Sequence, residues 1–507
     1  MQLARRVFTV SGWTLISRVL GLVRDRLWAG ALGGSLMLDC FLMAFALPNL
    51  LRNLFGEGAL SAAFIPRYVQ MRDRDPVEAE RFAGAVLTRL TIGLSILALI
   101  GYLIASCMMW YGSGRTVIIA AMALPQIPFV IFICVTAIFS GMLNGRRHFW
   151  VAAAAPVVLN VCLIATVFIS PDDEAWALPY AVLTAGVLQV VMMLWALKRS
   201  GGVPPVITKS NEPVRELRTA MGPTLLASGA YQINAYLDSV MAMIFIPGSG
   251  AVAVLYFGNR LLQFPMALIG HGVTTAAYPE LASRAAESWQ ATGEALRDAC
   301  RLLAFWLLPA AVGLLVTAEP LVRTIYQTGS FDESSVHRTV LVTQMLALAL
   351  VPISLSKLLM RAFHARRDQR TPMRISLSMV ALNLVLNLML VQTALQEAGL
   401  ALSTAISSFV GCGIYLVLLR RRGAGGMLAW RSLVRPSLAA VCMAVGVLAL
   451  LHYWPQPNGS GSGVAAARLC VATAVGMILY LMIAGTGWLR RRQAKVVTST
   501  TSDLPTE

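Results

Sequence analysis

The chain has 507 residues, 57% of them hydrophobic and 13% charged, and its mean hydropathy of +0.69 excludes a water-soluble globular domain. Its net charge is +17. With no soluble domain to carry a basic binding face, that excess reads as the Lys/Arg bias of cytoplasmic loops, and nucleic acid is excluded as a partner.

Taken in order, the apolar windows long enough to cross about 30 Å of hydrocarbon as helix fall at residues 7–32, 37–65, 83–109, 117–143, 149–170 and 176–197. A second set falls at 217–246, 251–279, 300–318, 338–363, 373–394 and 398–419, and two more at 433–453 and 465–488. The expected fold is therefore an all-α polytopic membrane protein of about fourteen transmembrane helices. The first apolar run is interrupted by Arg18, Arg24, Asp25 and Arg26, unlike a cleavable signal peptide. The eight cysteines lie almost all in apolar stretches, without CxxC or His-linked spacing, and read as small core or lipid-facing residues.

An even number of spans puts both termini on one side. With the N terminus cytoplasmic, thirty Lys/Arg lie on the cytoplasmic side and only Arg115, Arg323, Arg338 and Arg468 on the other. The expected topology is thus multi-pass, with both termini cytoplasmic. Seven basic residues remain in or near spans: Arg18, Arg24, Arg26, Arg52, Arg89, Arg260 and Lys357. Each costs about 2.5 kcal/mol or more at mid-bilayer, so most should face protein or water. Arg26 and Arg89 read as snorkelling residues near an interface.

The chain also repeats itself. Gly56-Glu57-Gly58-Ala59-Leu60-Ser61-Ala62-Ala63-Phe64 matches Gly270-His271-Gly272-Val273-Thr274-Thr275-Ala276-Ala277-Tyr278, and Asn144-Gly145-Arg146-Arg147 with Pro156 echoes His364-Ala365-Arg366-Arg367 with Pro372. The matches come in order at nearly equal offsets, which implies two six-helix lobes, residues 1–200 and 213–422. Two further helices (431–490) and a cytoplasmic tail (491–507) follow. Lobes of six helices share orientation, and a substrate site is expected between them near the midplane.

Charge concentrates in the first two spans. Arg18 and Asp25 are seven apart and share a helix face, with Arg24 about 100° round. The second span carries Asp39, Arg52 and Glu57, with a kink expected at Pro48. Arg260 adds a cation from the eighth span. Two readings stand side by side: buried ion pairs such as Arg18 with Asp25 that hold helices in register, or a cationic cavity for an anionic cargo whose phosphate oxygens match the guanidinium fork.

The stretches Ser17-Arg18-Val19-Leu20-Gly21-Leu22-Val23-Arg24-Asp25, Ala44-Phe45-Ala46-Leu47-Pro48-Asn49-Leu50-Leu51-Arg52 and Phe55-Gly56-Glu57-Gly58-Ala59 resemble the MurJ (MviN) family of lipid II flippases. So do Asn259-Arg260-Leu261-Leu262-Gln263-Phe264-Pro265 and Arg366-Arg367-Asp368-Gln369-Arg370-Thr371-Pro372, and the likeness covers essentially the whole chain. The resemblance implies a MATE-like fold of the multidrug/oligosaccharidyl-lipid/polysaccharide exporters, with two lobes around a cationic cavity. It implies as cargo the undecaprenyl-pyrophosphate disaccharide pentapeptide of peptidoglycan, moved from the cytoplasmic to the periplasmic leaflet. The family's cavity residues carry over to Arg18, Arg24, Asp25, Asp39, Arg52, Glu57 and Arg260. The last two helices would form a groove for the polyprenyl tail, and membrane lipids and cell-wall synthesis proteins are the implied partners.

The chain departs from the family where acidic residues beside the eighth-span Arg are replaced by Asn259 and Gln263, and a Lys before Leu47-Pro48 by Ala46. Asp238, with Asn383 and Asn387 four apart on one face, is a candidate monovalent-cation site, and a hydrogen-bonded structural Asp is the competing reading. No cofactor is expected beyond ion coupling or dependence on membrane potential.

No Gly-Lys-Ser/Thr loop is present, so ATP hydrolysis is excluded, and the five histidines form no HExxH or comparable cluster. An intramembrane glycosyltransferase or ligase is the rival from another class, and the short external loops speak against it. Among transporters, an exporter of another lipid-linked oligosaccharide or of drugs is the alternative. The Arg surplus argues against cationic drugs only.

Overall fold

The structure, a computed structural model, describes residues 2–52, 59–170, 173–207, 232–425, 430–454 and 462–501. Every regular element among the described residues is helical. In order these are α1 (Gln2–Leu32), α2 (Leu36–Arg52), α3 (Ala59–Arg74), α4 (Pro76–Tyr111), α5 (Arg115–Gln126), α6 (Phe129–Gly145), α7 (Phe149–Ile169) and α8 (Glu174–Arg199). Then come α9 (232–245), α10 (Ala251–Pro265), a π-helical turn (Met266–His271), α11 (Gly272–Glu287), α12 (Trp289–Tyr326), α13 (Glu333–Ala365), α14 (Arg370–Leu390), α15 (Glu397–Arg421), α16 (Trp430–Tyr453) and α17 (Ser462–Thr501).

Among the described residues eleven segments are long and apolar enough to cross a bilayer, with α5–α6 and α10–α11 each counting as one. All eleven coincide with expected spans. The other three expected spans differ for identifiable reasons. α1 carries Arg18, Arg24, Asp25 and Arg26, α2 is 17 residues long, and the seventh window begins in residues outside the described set. The expected kink at Pro48 does not interrupt the helical run of α2. Exposed aromatic side chains, Trp110 and Tyr111 on α4 and Tyr453 on α16, mark helix ends as interfacial girdles do.

Local chemistry sets the helix limits. Asp75 caps α4 by accepting from Val77 N at 2.8 Å and Glu78 N at 3.2 Å, with Pro76 in the first turn, where its missing N–H costs nothing. The chain divides into two compact units, Met1–Val254 with Tyr326–Ser335, and Leu255–Ile325 with Val336–Glu507. In the first, α1 packs along α7, α7 on α8, and α8 on α6. At one end of this unit Phe64 stacks between Tyr68 and Phe82, at centroid separations of 5.5 and 5.7 Å. In the second, α14 packs on α15 and α16 on α17, and the Tyr480 hydroxyl donates to the Phe305 carbonyl at 2.6 Å, tying α17 to α12.

The two Arg-Arg motifs aligned in the sequence share one backbone geometry. Arg147 N donates to Asn144 O and His148 N to Leu143 O; 220 residues later Arg367 N donates to His364 O and Asp368 N to Phe363 O. Arg147 and Arg367 both adopt the left-handed conformation, at φ 66° and 59°, the helix-ending geometry usually given to glycine. In each corner the preceding arginine turns inward. Arg146 donates to Glu80 at 2.7 Å, to the Tyr68 hydroxyl at 3.2 Å and to the Gly202 carbonyl at 2.9 Å. Arg366 donates to the Ala285 carbonyl at 2.6 Å and lies over the Trp289 ring.

Beside the second corner, burial pushes the Asp368 carboxyl up, but the Thr371 amide and hydroxyl and the Arg422 guanidinium outweigh it and hold the group below its ordinary 3.8. The stability this contributes is present above that value and is lost as pH falls through the depressed one.

Two outcomes follow for thermal unfolding in detergent. Arg147→Gly and Arg367→Gly should each stabilise the protein by about 1 kcal/mol, because glycine relieves the left-handed strain. Arg146→Met should destabilise it by about 3 kcal/mol, because Glu80 and Tyr68 lose their shared partner.

Candidate functional site

α1 brings Arg24 and Asp25 against α7, and both are buried. Arg24 Nε and Nη2 donate to Asp25 Oδ1 at 3.0 and 2.6 Å. Its Nη1 donates to Asn160 Oδ1 at 3.0 Å, and its guanidinium carbon lies 4.6 Å from the centroid of the Trp28 ring. Asn160 Nδ2 in turn donates to the Ser17 carbonyl at 3.0 Å, so one amide joins α7 to α1 at two levels. The pair considered from the sequence, Arg18 with Asp25, is replaced by Arg24 with Asp25. The α1 face they share is exposed at Arg18 and buried at Asp25.

Asp39, also buried, uses its carboxylate on backbone. Its Oδ2 accepts from Gly250 N at 2.7 Å and its Oδ1 from Ala253 N at 2.8 Å, which satisfies amides left over at the start of α10. On the other side of the same loop, Arg115 donates to the carbonyls of Met243 (3.0 Å) and Gly248, at the end of α9. The loop is thus held by an anion at a helix N-terminus and a cation at a helix C-terminus. Backbones meet closely here. Gly33 (φ 57°) and Gly250 (φ 83°) hold conformations that a side chain would strain, and an added Cβ would strike the carbonyl of Ser330 or of Gly34 respectively. Ser330 N donates to Gly30 O at 2.8 Å.

The remaining site candidates lie apart from this cluster. Arg52 is half-buried at the end of α2 and donates Nε and Nη2 to Asn49 Oδ1, one turn back, at 3.1 and 2.9 Å. Arg260 is half-buried on α10, in the second unit, and Glu57 lies outside the described residues. Asp238, on α9, belongs to the first unit, whereas Asn383 and Asn387 belong to the second. There Asn387 Nδ2 donates to Asn383 Oδ1 at 3.0 Å, Asn383 Nδ2 donates to the Thr404 hydroxyl at 3.3 Å, and the Ser403 hydroxyl bonds Asn387 Oδ1. That ladder joins α14 to α15. Among the described residues no group of three or more His, Cys, Asp or Glu could hold a metal.

Two residues of the Arg24 cluster escaped the sequence reading, Asn160 and Trp28. The signal was present for Asn160, a carboxamide in the middle of an otherwise apolar span, since such a group in a bilayer needs a partner. Trp28 carries no sequence signal, because an aromatic four residues from an arginine is common on any helix.

An all-helical chain that crosses the membrane many times and buries arginine, aspartate and asparagine within its spans is, by class, a membrane transporter. Its fold is similar to an inward-facing MATE multidrug transporter of the MOP superfamily, with a TM-score of 0.65 and 17% identity over 82% of this chain and 97% of that one. It is more similar to a lipid II flippase MurJ in an inward closed conformation, with a TM-score of 0.80 and 21% identity over 95% and 99%. The family model for lipid II flippase MurJ matches residues 28–467. A probable lipid II flippase MurJ from Rhizobium tropici is 31% identical, covering 97% of this chain and 96% of its own. The lipid II flippase MurJ from Burkholderia cenocepacia is 32% identical, covering 83% and 85%. The chain belongs to the lipid II flippase MurJ family.

The Asp39 geometry gives a direct test by thermal unfolding. Asp39→Ala, which removes both acceptors, should cost about 2 kcal/mol, and Asp39→Asn, which keeps one, about half as much.

Proposed function

We propose that this chain flips lipid II from the cytoplasmic to the periplasmic leaflet of the bacterial inner membrane, by alternating access and with both termini cytoplasmic. Family membership along nearly the whole chain carries this reading, and it makes the protein a transporter rather than an enzyme. The arginines divide by role. Arg24 already has a buried carboxylate on it, so it serves as a fixed element of the headgroup site. Arg18 is exposed and Arg52 is half-buried at the end of α2, and both are assigned to the pyrophosphate, whose oxygens match the guanidinium fork. Arg260 is a further candidate on its own helix. The α16–α17 pair, which follows the duplicated lobes, is assigned to the polyprenyl tail. Ion coupling through Asp238, with Asn383 and Asn387, dependence on membrane potential, and association with cell-wall synthesis proteins belong to the same proposal.

Depletion of the protein should abolish externally accessible lipid II while cytoplasmic synthesis continues, and undiminished external lipid II would refute the assignment. On the purified protein, Arg18→Ala and Arg52→Ala should each weaken binding of a short-chain lipid II analogue about tenfold, or 1.4 kcal/mol. Lys at either position should restore part of it, since an ammonium keeps the charge and loses the bidentate fork. Undiminished affinity in both folded Ala variants would end the pyrophosphate reading. Replacing sodium by choline during transport tests the ion proposal, because a sodium-coupled cycle stops and an uncoupled one continues.

A further inference from the structure

The second unit contains an intramembrane cation that the reading above leaves without a role. Lys357 lies on α13, eight residues before its end at Ala365, which places it about 12 Å inside the helix. Its ammonium does not turn toward that end. It lies 3.6 Å from Sδ of Met266, the first residue of the π-helical turn. One helical turn earlier on the same face of α13 is Ser354, which is buried. The Ser354 hydroxyl has no hydrogen-bond partner among the described residues. It sits 3.0 Å from where a Cβ on Gly270, near the other end of the π turn, would be.

Two polar groups of α13 therefore address the two ends of one irregular turn. That turn is written in the sequence, since Pro265 lacks an N–H to continue the helix and Gly270 and Gly272 remove side chains around His271. Widened turns of this kind inside long helices recur at functional sites. A Lys inside a bilayer span is unfavourable for insertion, and Met or Leu would be favourable there. The arrangement is therefore one that stability alone would not select.

We propose that Lys357, with Ser354 beside it, forms a binding subsite for an oxyanion of the transported headgroup, placed at the π turn between α10 and α11. The proposal rests on the lipid II reading. That cargo has oxyanions of two kinds, the pyrophosphate and the carboxylates of the peptide, and either matches an ammonium with a hydroxyl one turn away.

The test compares full-length Lys357→Met and Lys357→Arg with the unmodified protein, for binding of a short-chain lipid II analogue and for thermal midpoint. Lys357→Met should bind at least tenfold more weakly with its midpoint unchanged or raised, and Lys357→Arg should bind with intermediate affinity. A second probe, a short-chain prenyl pyrophosphate without sugar or peptide, separates the two sources. Loss for both probes assigns the pyrophosphate to the subsite, and loss for the complete analogue alone assigns a peptide carboxylate. Unchanged affinity in Lys357→Met would mean that the lysine only snorkels, and a lowered midpoint would mean that it is a structural partner; either overturns the proposal. Arg18→Ala and Arg52→Ala serve as the reference. If they weaken binding and Lys357→Met does not, only the subsite fails, whereas if none of the three does, the pyrophosphate reading fails with it.

Discussion

A guanidinium cannot lose its proton to escape a medium that solvates it poorly, so every buried arginine in a membrane helix has to be solvated by the protein. Arg24 shows how completely this can be done. A carboxylate takes one edge, a carboxamide takes another nitrogen, and an indole covers the face. The partners come from two helices. Meeting the needs of this one side chain therefore also fixes the α1–α7 contact, and the bond from Asn160 to Ser17 extends that contact by about two turns.

The same demand, applied to backbone, organises the ends of the helices. A helix leaves amides unpaired at its start and carbonyls at its end, and in this chain those groups are met by side chains brought from far along the sequence. Asp39 serves the start of α10 and Arg115 the end of α9. At the Arg-Arg corners one arginine accepts a strained backbone so that its neighbour can turn inward to carbonyls and rings. The device recurs 220 residues apart with the same hydrogen-bond pattern.

How much of this could be read from the sequence depended on range. Helices were legible wherever hydrophobic length sufficed, and the Asp75-Pro76 start of α4 follows from two adjacent residues. The repeated corner was legible as a motif, but its function as a hub was not, since Glu80 and Tyr68 lie 66 and 78 residues from Arg146. The pairing of charges within α1 was misjudged because helical periodicity tells which residues share a face and not where a neighbour covers it. Arg18 and Asp25 share a face that is exposed at one and buried at the other. The bonds that Asp39 accepts from the Gly250 and Ala253 amides, more than 200 residues away, are ones that no pattern in the sequence links to it.

The distribution of charge also bears on energy. The buried Arg24–Asp25 pair adds little net charge to its helix, because a carboxylate offsets the guanidinium beside it. One elementary charge crossing the membrane potential is worth about 2.3 kcal/mol per 100 mV. A pyrophosphate with two charges that crossed such a potential unaccompanied would gain roughly twice that. The gain survives only to the extent that protein cations do not travel with it and cancel it. Tight compensation of Arg24 leaves fewer mobile cations than the number of arginines implies. A site that binds through a small excess of positive charge, rather than through every arginine it contains, both releases its cargo more readily and leaves more of the potential acting on the anion.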